Sequence, residues 1–154
     1  MYSRSRTHHY HVFSLPNTPL SQGKWAILFS HPADFTPVCT TEIGRLALKY
    51  DELTDLDCKV ATLSVDPVKS HQEWLSDVVA HCENEIEVKF PIIADPDRSI
   101  SIKYGMIDPG NLDEQELPLT IRAVFIINPE NKLMLSLNYR MYQYYLFGLF
   151  MVKF

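Results

Sequence analysis

Short apolar runs alternating with amphipathic segments constrain this chain more than any other feature. Trp25 to Ser30 has the length and composition of a buried strand. Lys59 to Val65 is a second run, ended by Asp66-Pro67, and Pro91 to Ala94 is a third. Ala123 to Ile127 is a fourth, and Asn128-Pro-Glu-Asn131 supplies turn chemistry before a fifth at Leu133 to Leu137. Between them, Thr41 to Leu53 carries Ile43, Leu46, Ala47 and Tyr50 at helical spacing. Ser70 to Cys82 reads as a helix with Ser70 as N-cap and Glu73 three residues on. Asp97 to Tyr104 reads as a short helix capped by Gly105. The order β-α-β-α-β-α-β-β predicts an α/β domain with a central sheet flanked by helices. A chain of 154 residues suits one such core.

Charge narrows the function classes. The formal net charge of -5 gives no global attraction to nucleic acid or to anionic membranes. Three cysteines without a C-x-x-C pair form no disulfide framework, and they suit a reducing, cytoplasmic setting. The ends differ from the middle. No Asp or Glu precedes Asp34, and residues 1–22 read as a flexible leader. Its basic, acid-free start gives a mitochondrial transit peptide as the alternative. His8, His9 and His11 in it read as a solvated cluster, with no metal expected. Residues 23–139 form the expected domain, and residues 140–154 an aromatic tail too short to span a bilayer.

Chemistry concentrates in Pro32-Ala-Asp-Phe-Thr36-Pro-Val-Cys39. The segment follows the first strand and leads into the helix that opens with Thr40-Thr41-Glu42. A thiol at such a junction meets free backbone N–H groups and the positive helix end, both of which favour thiolate. An unassigned cysteine is more often a small buried hydrophobe, the reading given to Cys58 and Cys82. Arg122, at the start of an apolar strand, needs a partner because charge burial is costly.

The stretch His31-Pro-Ala-Asp-Phe-Thr-Pro-Val-Cys-Thr-Thr-Glu42 resembles the active-site segment of the peroxiredoxins, most of all their one-cysteine branch. The similarity continues through Leu63-Ser-Val-Asp66, His71-Gln-Glu-Trp74, Phe90-Pro-Ile-Ile93, Tyr104-Gly-Met106 and Thr120-Ile-Arg-Ala-Val-Phe125. The resemblance implies a thioredoxin-like fold and a thiol-dependent peroxidase acting on hydrogen peroxide and on organic and lipid hydroperoxides. It makes Cys39 the peroxidatic cysteine, with Thr36, Arg122 and Pro32 around it, and Glu42 and His31 in support. It implies no cofactor, an external thiol reductant such as glutathione delivered with a glutathione transferase, and a homodimer. No counterpart of a resolving cysteine is visible.

The sequence also departs from that family. Residues 1–22 do not match its start, and Asn138 to Tyr145 replaces the stretch that carries its second arginine. The family's C-terminal domain is expected to be absent, which leaves the dimer mode open. Lys24 stands where some members carry a phospholipase serine, so that activity is not expected. These departures motivate an alternative: a truncated, catalytically weak isoform that co-assembles with relatives or binds clients through its apolar tail. A disulfide reductase is disfavoured by the missing C-x-x-C.

Overall fold

The computed structural model describes residues 12–13, 20–83 and 85–139. Its elements are β1 (Val12–Phe13), β2 (Trp25–Ser30), α1 (Pro37–Asp55), β3 (Cys58–Ser64), α2 (Val68–His81), β4 (Ile92–Ala94), α3 (Ser99–Tyr104), β5 (Ile107–Leu112), β6 (Pro118–Thr120), β7 (Arg122–Ile127) and β8 (Leu133–Tyr139). Six strands form one sheet in the order β1-β4-β3-β2-β7-β8, and β5 and β6 pair separately. The first four strands in that order run parallel, β7 pairs antiparallel with β2, and β8 pairs antiparallel with β7. The sheet is therefore mixed, as expected.

Strand alternation splits the core between the two sheet faces. Ile27, Phe29, Val60, Ile92 and Val124 face one side, where Ile43 and Leu46 of α1 and Trp74, Leu75 and Val78 of α2 cover them. Leu28, Ala61, Leu63, Ile93, Ala123 and Phe125 face the other, with Met106 and Ile100. The parallel strands are thus apolar on both faces, which is why they read as unbroken runs.

Two sequence expectations are corrected, both at helix starts. Helix α1 begins at Pro37 rather than Thr41, so Cys39 lies inside its first turn and not before it. Proline is well placed there, because the first helical N–H has no intrahelical acceptor to lose. Helix α2 begins at Val68 with Pro67 as its N-cap, so Ser70 does not cap it. Instead the Ser70 hydroxyl donates to Asp34 Oδ2 at 2.7 Å. The hairpin β5–β6 falls in a stretch for which no element was expected. Val12–Phe13, inside the segment expected as leader, pairs in parallel with Ile92–Ile93. Gly105 holds the left-handed cap predicted for it, at φ +67. His8, His9, His11 and residues 140–154 lie outside the described residues.

Candidate active site

Cys39 is the third residue of α1, with Thr36 as N-cap and Pro37 at the first position. The first turn of a helix carries backbone N–H groups without intrahelical acceptors, and their positive end favours an anion. Cys39 is fully buried and belongs to the core cluster that also holds Phe29, Ile43 and Val124. Its polar company comes from β7. Arg122 Nη1 donates to Cys39 Sγ at 3.3 Å and also to Glu42 Oε2. Cys39 and Glu42 are three residues apart on α1 and so share the face that meets Arg122. Glu42 lies beyond the first turn of α1, away from the positive helix end, and its partner is Arg122.

Burial pushes the Cys39 thiol up, while the Arg122 charge, the Thr36 hydroxyl and the Ala33 backbone hold it down. Upward pressure prevails, and the Arg122 charge is the largest influence opposing it. Thr36 Oγ1 also lies 3.1 Å from Ala33 O. One hydroxyl proton thus serves two acceptors, and Thr36 can give it to sulfur or keep it on the loop. Burial likewise raises Glu42 from 4.5 to about 7, with Arg122 opposing. Pro32 is buried and, lacking an N–H, contributes shape rather than a hydrogen bond.

His31 was expected beside the thiol as a tuning residue. The structure turns its ring to Asp34 and Trp74: Nε2 is 3.0 Å from Asp34 Oδ1, and the ring centroid is 5.0 Å from that of Trp74. His71 Nδ1 approaches the other carboxylate oxygen at 2.8 Å. Trp74 Nε1 donates to Thr40 Oγ1 at 3.0 Å, next to Cys39 in the chain. Thr120 Oγ1 donates to the His31 carbonyl at 2.6 Å, fixing the end of β2. Asp34, His71 and Trp74 were not among the expected site residues: His71 and Trp74 share a helix face three residues apart, but nothing local in the sequence joins Asp34 to them.

His31, Asp34 and His71 could each offer a metal ligand, with these atoms within 4.8 Å of one another. The donor chemistry argues against it. A metal-bound imidazole carries its proton on the far nitrogen, which then needs an acceptor. The far nitrogens, His31 Nδ1 and His71 Nε2, are buried without a partner among the described residues. A carboxylate receiving two N–H groups fits better, because the far nitrogens then hold only lone pairs. Burial pushes Asp34 up, but hydrogen bonds from His31 and His71 hold its carboxyl well below the usual range. Cys39, Cys58 and Cys82 are all free thiols.

Known proteins carry the same frame. The sequence pattern described as the AhpC/TSA family matches residues 6–136. Peroxiredoxin-6 of Gallus gallus is 49% identical over 117 residues, covering 75% of this chain and 52% of that protein. The 1-Cys peroxiredoxin of Onchocerca volvulus is 44% identical over 127 residues, covering 78% and 55%. Among solved structures, a cysteine-to-serine mutant of peroxiredoxin 6 of Arenicola marina superposes with TM-score 0.73 at 44% identity, over 77% of this chain and 54% of that one. The yeast mitochondrial 1-Cys peroxiredoxin follows at TM-score 0.65 and 41% identity, over 75% and 55%. The chain spans about half the length of the curated relatives it matches. Its fold is thioredoxin-like, and the chain belongs to the AhpC/TSA family, in the one-cysteine, peroxiredoxin-6-like branch of the peroxiredoxins.

Proposed function

We propose that this chain is a thiol-dependent peroxidase, reducing hydrogen peroxide and organic or lipid hydroperoxides through Cys39. The observation that carries the reading is the single guanidinium nitrogen of Arg122 shared by Cys39 Sγ and Glu42. A buried cation on a buried thiol stabilises thiolate, the nucleophilic form. The thiolate attacks one peroxide oxygen. An S–O bond forms, the O–O bond breaks, sulfur is oxidised to sulfenic acid, and the departing oxygen takes a proton to leave as water or alcohol. Arg122 and the first turn of α1 are donors placed where that charge develops.

An external thiol then attacks the sulfenic sulfur and expels water, and a second thiol releases the resulting mixed disulfide. Glutathione fits this role, with a glutathione transferase as its carrier. Support comes from the yeast relative, whose structure is described as showing thiol resolution through glutathione and thioredoxin systems. The same reading includes a homodimer: β8 is an edge of the described sheet and exposes Leu133, Met134 and Leu135. Free thiols throughout favour the cytoplasm. Co-assembly without catalysis draws only on the exposed β8 side chains and leaves the Arg122–Cys39 contact without a purpose.

One equivalent of peroxide should convert Cys39 to sulfenic acid in the folded chain, read by intact mass, and Cys39→Ser should show no such product. A Cys39 thiol left unmodified by excess peroxide would sink the proposal.

A further inference from the structure

We propose that Asp34 is the positioning residue of this site: it fixes the proton of His31 on Nε2 and latches the segment bearing Thr36 onto α2. The inference rests on the reading of Cys39 as the peroxide-reactive thiol. Asp34 gathers bonds from three parts of the fold. Its carboxylate accepts from His31 Nε2 within its own segment, and from Ser70 Oγ and His71 Nδ1 on α2. Its backbone N–H donates to Asp66 Oδ2 at 2.9 Å, after β3, and that oxygen also accepts from Ser64 Oγ at 2.8 Å. With its side chain 1% exposed, the carboxylate has essentially no water to compensate for a lost donor.

The segment needs such a latch. Phe35, between Asp34 and Thr36, sits in the left-handed region at φ 56, which is costly for a side chain of that size. Phe35 is 53% exposed, so its own packing does little to hold the conformation. The neighbours must do so, and Asp34 is the adjoining residue with anchors on α2. Thr36 next takes extended dihedrals as N-cap, and Cys39 follows three residues on. Slack at Asp34 therefore shifts Thr36 first, while Arg122 on β7 keeps its own hold on the thiol. The two histidines are donors only in one tautomeric arrangement: His31 protonated on Nε2, His71 on Nδ1.

Asp34→Asn in the full chain tests this with three readouts: the stopped-flow rate of sulfenic acid formation, the rate of Cys39 alkylation by iodoacetamide, and the melting temperature. Loss of positioning should slow the peroxide reaction by about tenfold to a hundredfold, with alkylation changed by less than about threefold. A peroxide rate within about twofold of native overturns the proposal, as does a parallel fall in all three readouts. The native chain supplies a second test that no folding failure can block. Nitrogen-15 NMR should find the proton of His31 on Nε2 and that of His71 on Nδ1, and the opposite tautomer at His31 overturns the proposal. A native chain that never forms sulfenic acid defeats the Cys39 reading itself, and this one with it. A reactive native chain with an equally reactive Asp34→Asn defeats this one alone.

Discussion

Asp34 and Glu42 stand on either side of Cys39 in the chain, the first buried and the second partly buried, and their surroundings act on them in opposite senses. Asp34 is met by two imidazoles and a hydroxyl, and they hold its carboxyl well below the usual range against the push of burial. Glu42 meets one guanidinium, which it shares with a thiol, and burial prevails, raising it to about 7. Burial pushes both carboxylates up, and only Asp34 has enough donors to outweigh it. The difference also separates two tasks. Asp34 is a fixed anion suited to holding backbone in place. Glu42 can gain or lose a proton near neutrality, and with it alter how much of the Arg122 charge reaches Cys39.

The largest test removes the shared cation. Arg122→Met leaves Cys39 without the main influence holding its thiol down, and Glu42 without its partner. The peroxide rate at neutral pH should fall by about 10²- to 10³-fold, the scale of losing one donor aimed at developing charge. Alkylation of Cys39 should need a higher pH than in the native chain. A fall of less than about tenfold would mean that the helix end supports the thiolate almost unaided.

Stability against pH sharpens the contrast. Asp34 has its folded pKa below the ordinary 3.8, so its contribution is present above that pH and lost as the pH falls further. Glu42 has its folded pKa raised from 4.5 to about 7, so the folded chain holds this proton more tightly than the unfolded one. Its contribution is therefore complete below 4.5 and declines as the pH rises toward 7, by up to roughly 3 kcal/mol. Urea melts across this range should show Glu42→Gln flattening the neutral limb while the acid limb remains. Asp34→Asn should do the reverse. Identical slopes in native and Glu42→Gln chains would mean that Arg122 keeps Glu42 ionised throughout.

How far the sequence revealed these features follows from what each residue depends on. Arg122 was legible because a charge opening an apolar strand demands a partner, and Cys39 because its neighbours fix a strand-to-helix junction. The start of α1 was missed because Pro37 was read as loop, although proline at the first helical position is favoured. Asp34 was not legible as a latch, since Ser70 and His71 lie 36 and 37 residues away and only the parallel packing of β2 and β3 brings them close. The β5–β6 hairpin has weak strand propensity. It is held from outside by Arg98, which donates to Pro118 O and to Asp113 Oδ2 at 3.0 and 2.7 Å. Tertiary contact overrode local preference there.

The smallest expected effect comes from a contact between α1 and α2 that carries no charge, and it isolates the polar latch by contrast. A Cβ built at Gly44 of α1 would lie 2.6 Å from Cys82 Sγ, at the C-cap of α2. Gly44→Ala gains about 1 kcal/mol of helix propensity but must displace that sulfur, and overpacking of this kind costs about 1–3 kcal/mol. The net result should be a destabilisation of about 1 kcal/mol, seen as a lower urea midpoint with unchanged slope. In a Cys82→Ala background the sulfur is gone, and the same change should stabilise by about 1 kcal/mol. Cys82 lies eleven residues beyond His71, roughly 16 Å along the axis of α2 from the Asp34 latch. Gly44 lies only five residues from Cys39 on α1, about 7.5 Å along the axis, but the half-buried Cys82 sulfur is the group that must move, so the peroxide rate should stay within about twofold of native in Gly44→Ala. A larger fall would show that the strain passes along α1 to Glu42 and Cys39 instead of being taken up by Cys82.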